Sequence, residues 1–449
     1  MVMSQSSVIA LAQEQLLPAF DKERKSLDRI DGWLRWTPED IVTKRSRDKE
    51  ISYLKQISRT PWARLVVQAC AQAMSLENIY AAAKQDDDLR PMWAPWDRND
   101  METKQGALHR AALGYGLAYT MVVPGDIGAS ITAHSPREFI AMYGDPVEDE
   151  YPQSAMRVIA QGRDKPRHIR VIDEDAIYYL GEKDYLGGKV EFINYSVHGM
   201  GVPPVVRYAN EMDLEGRAPG EVEPLISLFA RINKTDYDRM LTQHFNSWKI
   251  RTATGVNEPD SKEEGEEEKM RLRQDDILVG SEDTKFGTLD ETSLEPFIKA
   301  HDSDLEAVAA ASQTPLTAFG KMINVSAEGL QEARHSLRAK VGDRKKAFGA
   351  SHVRTLRLAS WAEGRDDDAA DFSVKGKWSD DDATYLSSAV DALGKASTML
   401  GVPPQLLWDR IPNVDGTTAE AWRRYAAEHP SADERTATAM AAALNPTIP

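Results

Sequence analysis

Residues 223–250 read EPLISLFARINKTDYDRMLTQHFNSWKI, and this stretch decides the fold. Leu225, Phe229 and Ile232 fall at i, i+4 and i+7, one face of an α-helix. Pro224 suits the first turn of that helix. A helix of about 27 residues runs about 40 Å, long for a globular domain, and reads as a rod or a wall. Beyond it the rhythm breaks. Residues 258–276, EPDSKEEGEEEKMRLRQDD, hold nine acids and four bases, a polar and exposed composition. ILVG (277–280) and TKFGTL (284–289) read as short strands. A second helix over 294–312 places Leu294, Ile298, His301, Leu305 and Val308 on one stripe, and Thr314-Pro315 ends it. The order is helix, acidic insert, helix.

Working upstream, residues 1 to about 90 read as helical. PWARLVVQACAQAMSLENIYAAAK starts with Pro61 in a first turn, and Asp86, Asp87 and Asp88 then read as a solvated loop. Asn99 to Tyr115 reads as a helix. Gly114 and Gly116 turn the chain into a strand, Leu117 to Val123, and Pro124-Gly125-Asp126 is a turn signal. From there to about Tyr208, segments such as SITAHS, REFIAMY, MRVIAQG, HIRVIDEDAIYYL and KVEFINYSVH alternate or favour β-branched and aromatic residues. Asn210 to Gly220 reads as a loop. Working downstream, TPLTAFGKMINV (314–325) is an irregular loop. Ser326 caps a long helix reaching toward Trp361, with Leu330, Leu337, Val341 and Phe348 spaced by seven, four and seven. An acidic linker, Asp366 to Asp371, precedes a small helical C-terminal segment. The fold class expected is α+β, mainly helical.

The chain has 449 residues, enough for two to four structural units. Its 41% apolar and 28% charged residues are globular values. No stretch approaches the roughly 18 apolar residues of a membrane span, and the N-terminus lacks the pattern of a secretory signal. Cys70 is the single cysteine. It excludes an intrachain disulfide and a cysteine-based zinc site, and its apolar helical run reads as a buried thiol. The net charge is −16, opposite to that of a protein that grips phosphates over its whole surface.

Signatures of catalysis are missing. There is no G-x-x-x-x-G-K-[ST], no G-x-S-x-G and no H-E-x-x-H. Gly114-Tyr115-Gly116 lies at a helix-to-strand junction, whereas a dinucleotide site needs strand-to-helix. The histidines are scattered singly. No catalytic residue, metal or cofactor is expected. On the long helix, Arg334, Arg338, Lys340 and Arg344 form a basic face with two readings: contacts to phosphates, or a solvated face pairing with acids of a neighbouring subunit.

Four stretches, taken in order, carry a family likeness. They are Gly106–Tyr119 with Val122–Asp126; Ser135-Pro136 with Tyr143–Pro146; Gly201–Asn210 leading to Glu223–Ile226 and Ile232–Thr235; and Ser312–Pro315 with Asn324–Leu330 and Lys345–Gly349. In this order they cover about residues 60 to 360. The chain resembles the portal proteins of long-tailed bacteriophages, especially those of actinobacterial hosts.

The resemblance implies a wing over 1–222, a stem helix over 223–250, a clip over 251–293, a second stem helix over 294–313, a tunnel loop over 314–325, a long wing helix over 326–365 and a crown over 366–449. It implies a homo-oligomeric ring, usually of twelve subunits, at one capsid vertex of the virion, made in the host bacterial cytoplasm. Its implied partners are phage double-stranded DNA bound without sequence preference, the terminase large subunit, a head-completion or adaptor protein, the major capsid protein and a scaffolding protein, with no membrane. The tunnel loop would present Thr317, Phe319, Lys321, Met322 and Asn324 to the axis. Glu263, Glu264, Glu266, Glu267, Glu268, Arg271 and Arg273 would form the docking surface of the clip. Leu225, Phe229, Ile232, Leu294, Ile298 and Leu305 would form the stem and subunit interface. Sixteen negative charges per subunit would sum to roughly 190 in such a ring, so counter-ions would be required. One rival is another head adaptor, but adaptors are much shorter. The other is a phage DNA-processing enzyme, which would need clustered carboxylates or a nucleophile–base pair.

Overall fold

The computed structural model describes residues 2–38, 49–81, 84, 86–160, 167–182, 189–246, 251–254, 285–288, 292–321, 327–379, 383–411, 414 and 416–429. The described chain packs as two units. The first draws on residues up to 28, 67–221 and 338 onward; the second on 29–66 and 222–337.

Helices α1 (Gln5–Ala10) and α2 (Leu17–Leu34) are joined by a π-helical turn, Leu11–Leu16. Helices α3 (Lys49–Ile57) and α4 (Trp62–Ala71) follow. The sequence reading then fails at β1 (Leu76–Tyr80), which lies in a stretch expected to be helical. Its antiparallel partner is β12 (Lys375–Trp378), far along the chain. The Gln105 side chain also accepts from the Leu76 N–H at 2.8 Å and donates to the Leu76 carbonyl at 3.2 Å. A strand held by such distant groups leaves no local periodic trace. A second correction concerns Asp86, Asp87 and Asp88. They open helix α5 (Asp86–Arg98) rather than form a loop. Acidic residues suit a helix N-terminus, where the free N–H groups carry partial positive charge.

Helix α6 (Met101–Tyr115) runs into β2 (Leu117–Gly125), the centre of a three-stranded antiparallel sheet with β3 (Gly128–His134) and β9 (Val205–Ala209). Gly125 pairs with Gly128 across the two-residue turn that the Pro-Gly-Asp signal announces. The strands β4 (Phe139–Met142), β5 (Ser154–Ala160), β6 (Arg167–Ile172), β7 (Ala176–Glu182) and β8 (Val190–Val197) form an antiparallel meander. Alternation gives this sheet two apolar faces. One, with Met156, Val158, Ile169, Val171, Tyr178 and Leu180, packs on Val8, Ala12, Leu16 and Phe20. The other, with Phe139, Ala155, Ile172 and Ile177, packs on Tyr119, Met121 and Val205 of the three-stranded sheet.

In the second unit, the 3-10 turn Glu223–Leu225 leads into α7 (Ile226–Asn246). Strands β10 (Arg251–Thr254) and β11 (Lys285–Thr288) pair antiparallel, and α8 (Glu295–Ser312) packs on α7. The expected strand at 277–280 lies outside the described residues. Helix α9 (Ala327–Ala362), the longest among the described residues, begins in this unit and continues into the first, which also holds α10 (Asp366–Ala369), β12, α11 (Ala383–Leu400) and α12 (Gly416–Glu428). The expected cap at Ser326 lies outside the described residues.

Residues 29–66, expected as part of the first region, pack with the helix pair. Trp33 places its ring 6.0 Å from that of Phe229, and Ile51 clusters with Tyr237.

Candidate functional site

The helix pair of the second unit is buried at one end and exposed at the other. Leu225, Phe229 and Ile232 are buried at the start of α7; Leu305, Val308 and Ala309 are buried toward the end of α8. The stripe read along 294–308 is therefore only partly used within the subunit. Ile298 is 49% exposed and Leu294 is half-buried. Beside the packed end, the buried Asp236 carboxylate accepts from Arg239 at 3.2 Å, and His301 Nε2 lies 3.6 Å away. Burial pushes the Asp236 pKa up, against the pull of His301 and Arg239.

The loop after α8 starts where Gln313 adopts a left-handed conformation and donates its N–H to the Ala309 and Ala310 carbonyls. Leu316–Phe319 is a 3-10 turn closed by Gly320 at φ +81°. The turn tucks Phe319 inward. Its ring lies 5.6 Å from that of Trp62, which also neighbours His301 at 6.5 Å. This corrects the expectation of an axial Phe319: the ring is buried in its own unit, because an apolar ring gains more against Trp62 than in water. Lys321 is partly exposed, with Nζ 3.3 Å from both Asp302 and Glu306. Thr317 is half-buried. Met322 and Asn324 lie outside the described residues, as do Glu263, Glu264, Glu266, Glu267, Glu268, Arg271 and Arg273.

The basic face of α9 is also divided. Arg334 and Arg338 are exposed. Lys340 and Arg344 are not available to phosphates. Their side chains are 5% and 11% exposed, and both meet Glu221 of the same subunit at 3.1 and 3.2 Å. Arg344 also reaches Glu211 at 3.1 Å, and Asn210 donates to Glu221. Two buried cations demand a counter-charge in a low-dielectric interior, and Glu221 supplies it from the end of the loop expected at 210–220. Nothing local in the sequence marks Glu221 for this role. Burial beside this cluster pushes the Cys70 thiol up to about 11, so it stays protonated.

Further along α9, a cavity of about 850 Å³ is lined by Arg207, Lys345, Lys346, Arg354, Arg357 and Lys375, with Glu148, Asp149 and Glu150. Glu150 accepts from Arg354 and Arg357 at 3.1 and 2.9 Å. Deeper in the same unit, His109 and His352 share a hydrogen bond that sequence reasoning left as single packed histidines. His109 Nδ1 faces the Met74 carbonyl at 3.2 Å, so that nitrogen carries the proton. In the neutral pair His352 Nε2 then donates to His109 Nε2 at 2.8 Å. The Tyr208 hydroxyl donates to His352 Nδ1 at 3.0 Å and lies 2.9 Å from Thr355. Every ring nitrogen of the pair has a hydrogen-bond partner. Among the described residues no cluster of His, Cys, Asp and Glu could hold a metal ion, and no helix is long and apolar enough to cross a membrane.

Compared with known proteins, residues 14–434 match the family described as phage portal protein, SPP1 Gp6-like. No curated protein matches. Solved structures that resemble the chain include a chain of the virion of a native gene transfer agent particle, at 12% identity and TM-score 0.44, covering 80% of this chain and 94% of that one. A chain from the neck of the empty particle, computed with C6 symmetry, gives 14% identity and TM-score 0.45, covering 82% and 95%. A chain from the neck of the native particle, computed with C12 symmetry, gives 12% identity and TM-score 0.43, covering 81% and 95%.

Proposed function

This chain belongs to the SPP1 Gp6-like family of phage portal proteins, and on that premise we propose that it forms a ring at one capsid vertex through which DNA is packaged and ejected. The observation that carries the reading is the family match over 14–434, which spans the helix–insert–helix block and both units. The ring is a passive conduit. Terminase docks on the acidic insert during packaging and hydrolyses ATP there, and head-completion proteins take its place afterwards.

The physical demand on such a conduit is weak contact. DNA that must slide cannot be held by many cations, since each phosphate neutralised adds salt-dependent affinity. A chain of net charge −16 meets that demand. Its loop cation Lys321 is already partly neutralised by Asp302 and Glu306, which leaves a contact that can brace DNA without gripping it. Thr317 and Lys321 are the loop residues we assign to the axis, with Met322 and Asn324 beside them in sequence. The exposed Ile298 on α8 and the half-buried Leu294 just before it are then covered by neighbouring subunits, as obligate interfaces cover apolar surface.

Single-particle electron microscopy of the purified protein tests the reading. Closed rings with an axial hole and about a dozen subunits are expected. A folded monomer at every salt and protein concentration, with metal-dependent DNA cleavage, would instead favour an enzyme.

A further inference from the structure

The cavity beside α9 lies wholly within the first unit and has no task in the conduit described above. Its volume of about 850 Å³ falls in the range of ligand sites, ~300–1,000 Å³. Six bases and three acids line it, on a chain whose net charge is −16. A local reversal of sign concentrates anions. The basic wall is not used up by the subunit itself. One oxygen of Glu150, Oε1, accepts from both Arg354 Nε and Arg357 Nη1, at 3.1 and 2.9 Å. The two Nη groups of Arg354 hold no hydrogen bond among the described residues. Lys375 is exposed and holds no ion pair among the described residues. Lys346 meets only Asp343, in a pair open to solvent and therefore weak. A guanidinium with idle forked donors beside two such lysines takes a carboxylate or a phosphate.

Other features of the cavity favour a peptide over a nucleic acid. Phe372 and Met212 of its lining are 73% and 36% exposed, and the Arg357 guanidinium holds the Phe372 ring from one side at 3.7 Å. Duplex DNA presents phosphates on a polar, convex surface and covers no such side chains. Its continuous row of charge would also meet Glu148 and Asp149 in the same lining. A peptide spaces its carboxylates singly and turns apolar side chains to Phe372 and Met212. Strand β12 supplies a backbone partner as well. It has β1 on one side and no strand on the other among the described residues. Lys375, Gly376 and Trp378 all line the cavity. They come from both faces of the strand, so the cavity runs along its backbone.

We propose that this cavity binds an acidic, extended segment of a partner protein, its carboxylates on Arg354, Lys346 and Lys375 and its backbone on the open edge of β12. Random peptides displayed and selected on the immobilised full chain supply the probes, and fluorescence anisotropy measures the selected sequences after labelling. Selection should return Asp or Glu alternating with apolar residues, the two-residue period of a strand. Raising the salt should weaken their binding. Lys346→Glu with Lys375→Glu and Arg354→Gln should weaken it about tenfold or more. Lys346 and Lys375 are exposed, so the two lysine changes alone leave the fold intact and should still weaken binding severalfold. Methylating alternate backbone nitrogens of a selected peptide should cost about tenfold, as strand pairing requires. Selected peptides that are not acidic, or that bind the charge variants as tightly as the unaltered chain, overturn the proposal. Peptides that tolerate every backbone methyl group overturn the strand on β12. A DNA duplex or ATP that loses affinity in the charge variants, where no peptide does, assigns the cavity to phosphate and overturns the peptide. The site lies within one unit of one subunit, so none of these outcomes depends on whether rings form.

Discussion

His109 and His352 stand 243 positions apart in the chain and share one hydrogen bond, Nε2 to Nε2 at 2.8 Å, with both rings fully buried. Burial pushes His109 down to about 4, with the Met74 hydrogen bond opposing, and pushes His352 well below its ordinary value. The pair joins α6 to α9 as two neutral rings.

Acid should therefore weaken the first unit at this pair. The neutral form is favoured in the fold, so the unfolded chain takes up protons first. The contribution is complete above about pH 6.5 and is lost as pH falls toward about 4. The loss for His109 alone is on the order of 3 kcal/mol. Urea unfolding between pH 7 and 4 should show the midpoint falling, and His109→Gln should flatten that dependence. A wild-type midpoint that is level across this range would refute the neutral buried pair.

Glu221 should behave as a structural linchpin. Glu221→Ala leaves Lys340 and Arg344 buried with their main counter-charge gone. Breaking a buried pair in this way costs about 3–5 kcal/mol. Thermal unfolding measures it, and a loss below 1 kcal/mol would show that solvent reaches these cations.

Lys321→Ala should separate stability from function. Its ion pairs are partly exposed, and such pairs contribute about 0–1 kcal/mol. The proposed conduit predicts intact rings with altered DNA packaging or retention. Normal packaging and retention in the variant would remove Lys321 from the mechanism.

Gly116→Ala should damage the junction between α6 and β2. Gly116 has φ +97°, and a Cβ there would collide with the Ala218 carbonyl oxygen. Backbone strain and overpacking together cost about 3 kcal/mol. Differential scanning calorimetry of the purified variant checks this; an unchanged transition would mean that the loop after β9 moves aside freely.

Deleting 258–276 should spare subunit folding while impairing terminase or adaptor docking. The stretch is acidic and polar and lies in the proposed clip. A pull-down with the docking partner decides, and undiminished capture would move the docking surface elsewhere.

The amino-acid sequence by itself determined what depends on neighbours within a few residues. The 3.6-residue period placed Phe229 and Ile232 on the buried face of α7, the two-residue period placed Ile169 and Val171 on one face of a sheet, and Pro-Gly-Asp marked a hairpin turn. Such signals record which side of an element is apolar. They do not record what that side meets. Only the tertiary structure decided that Lys340 and Arg344 serve Glu221 rather than phosphate, that Phe319 turns in toward Trp62, that β1 is a strand because β12 lies beside it, and that two solitary histidines form a pair. Each depends on groups distant in the chain, and their meeting is fixed by the packing of the whole unit, where a buried charge or polar group is stable only beside the partner that satisfies it.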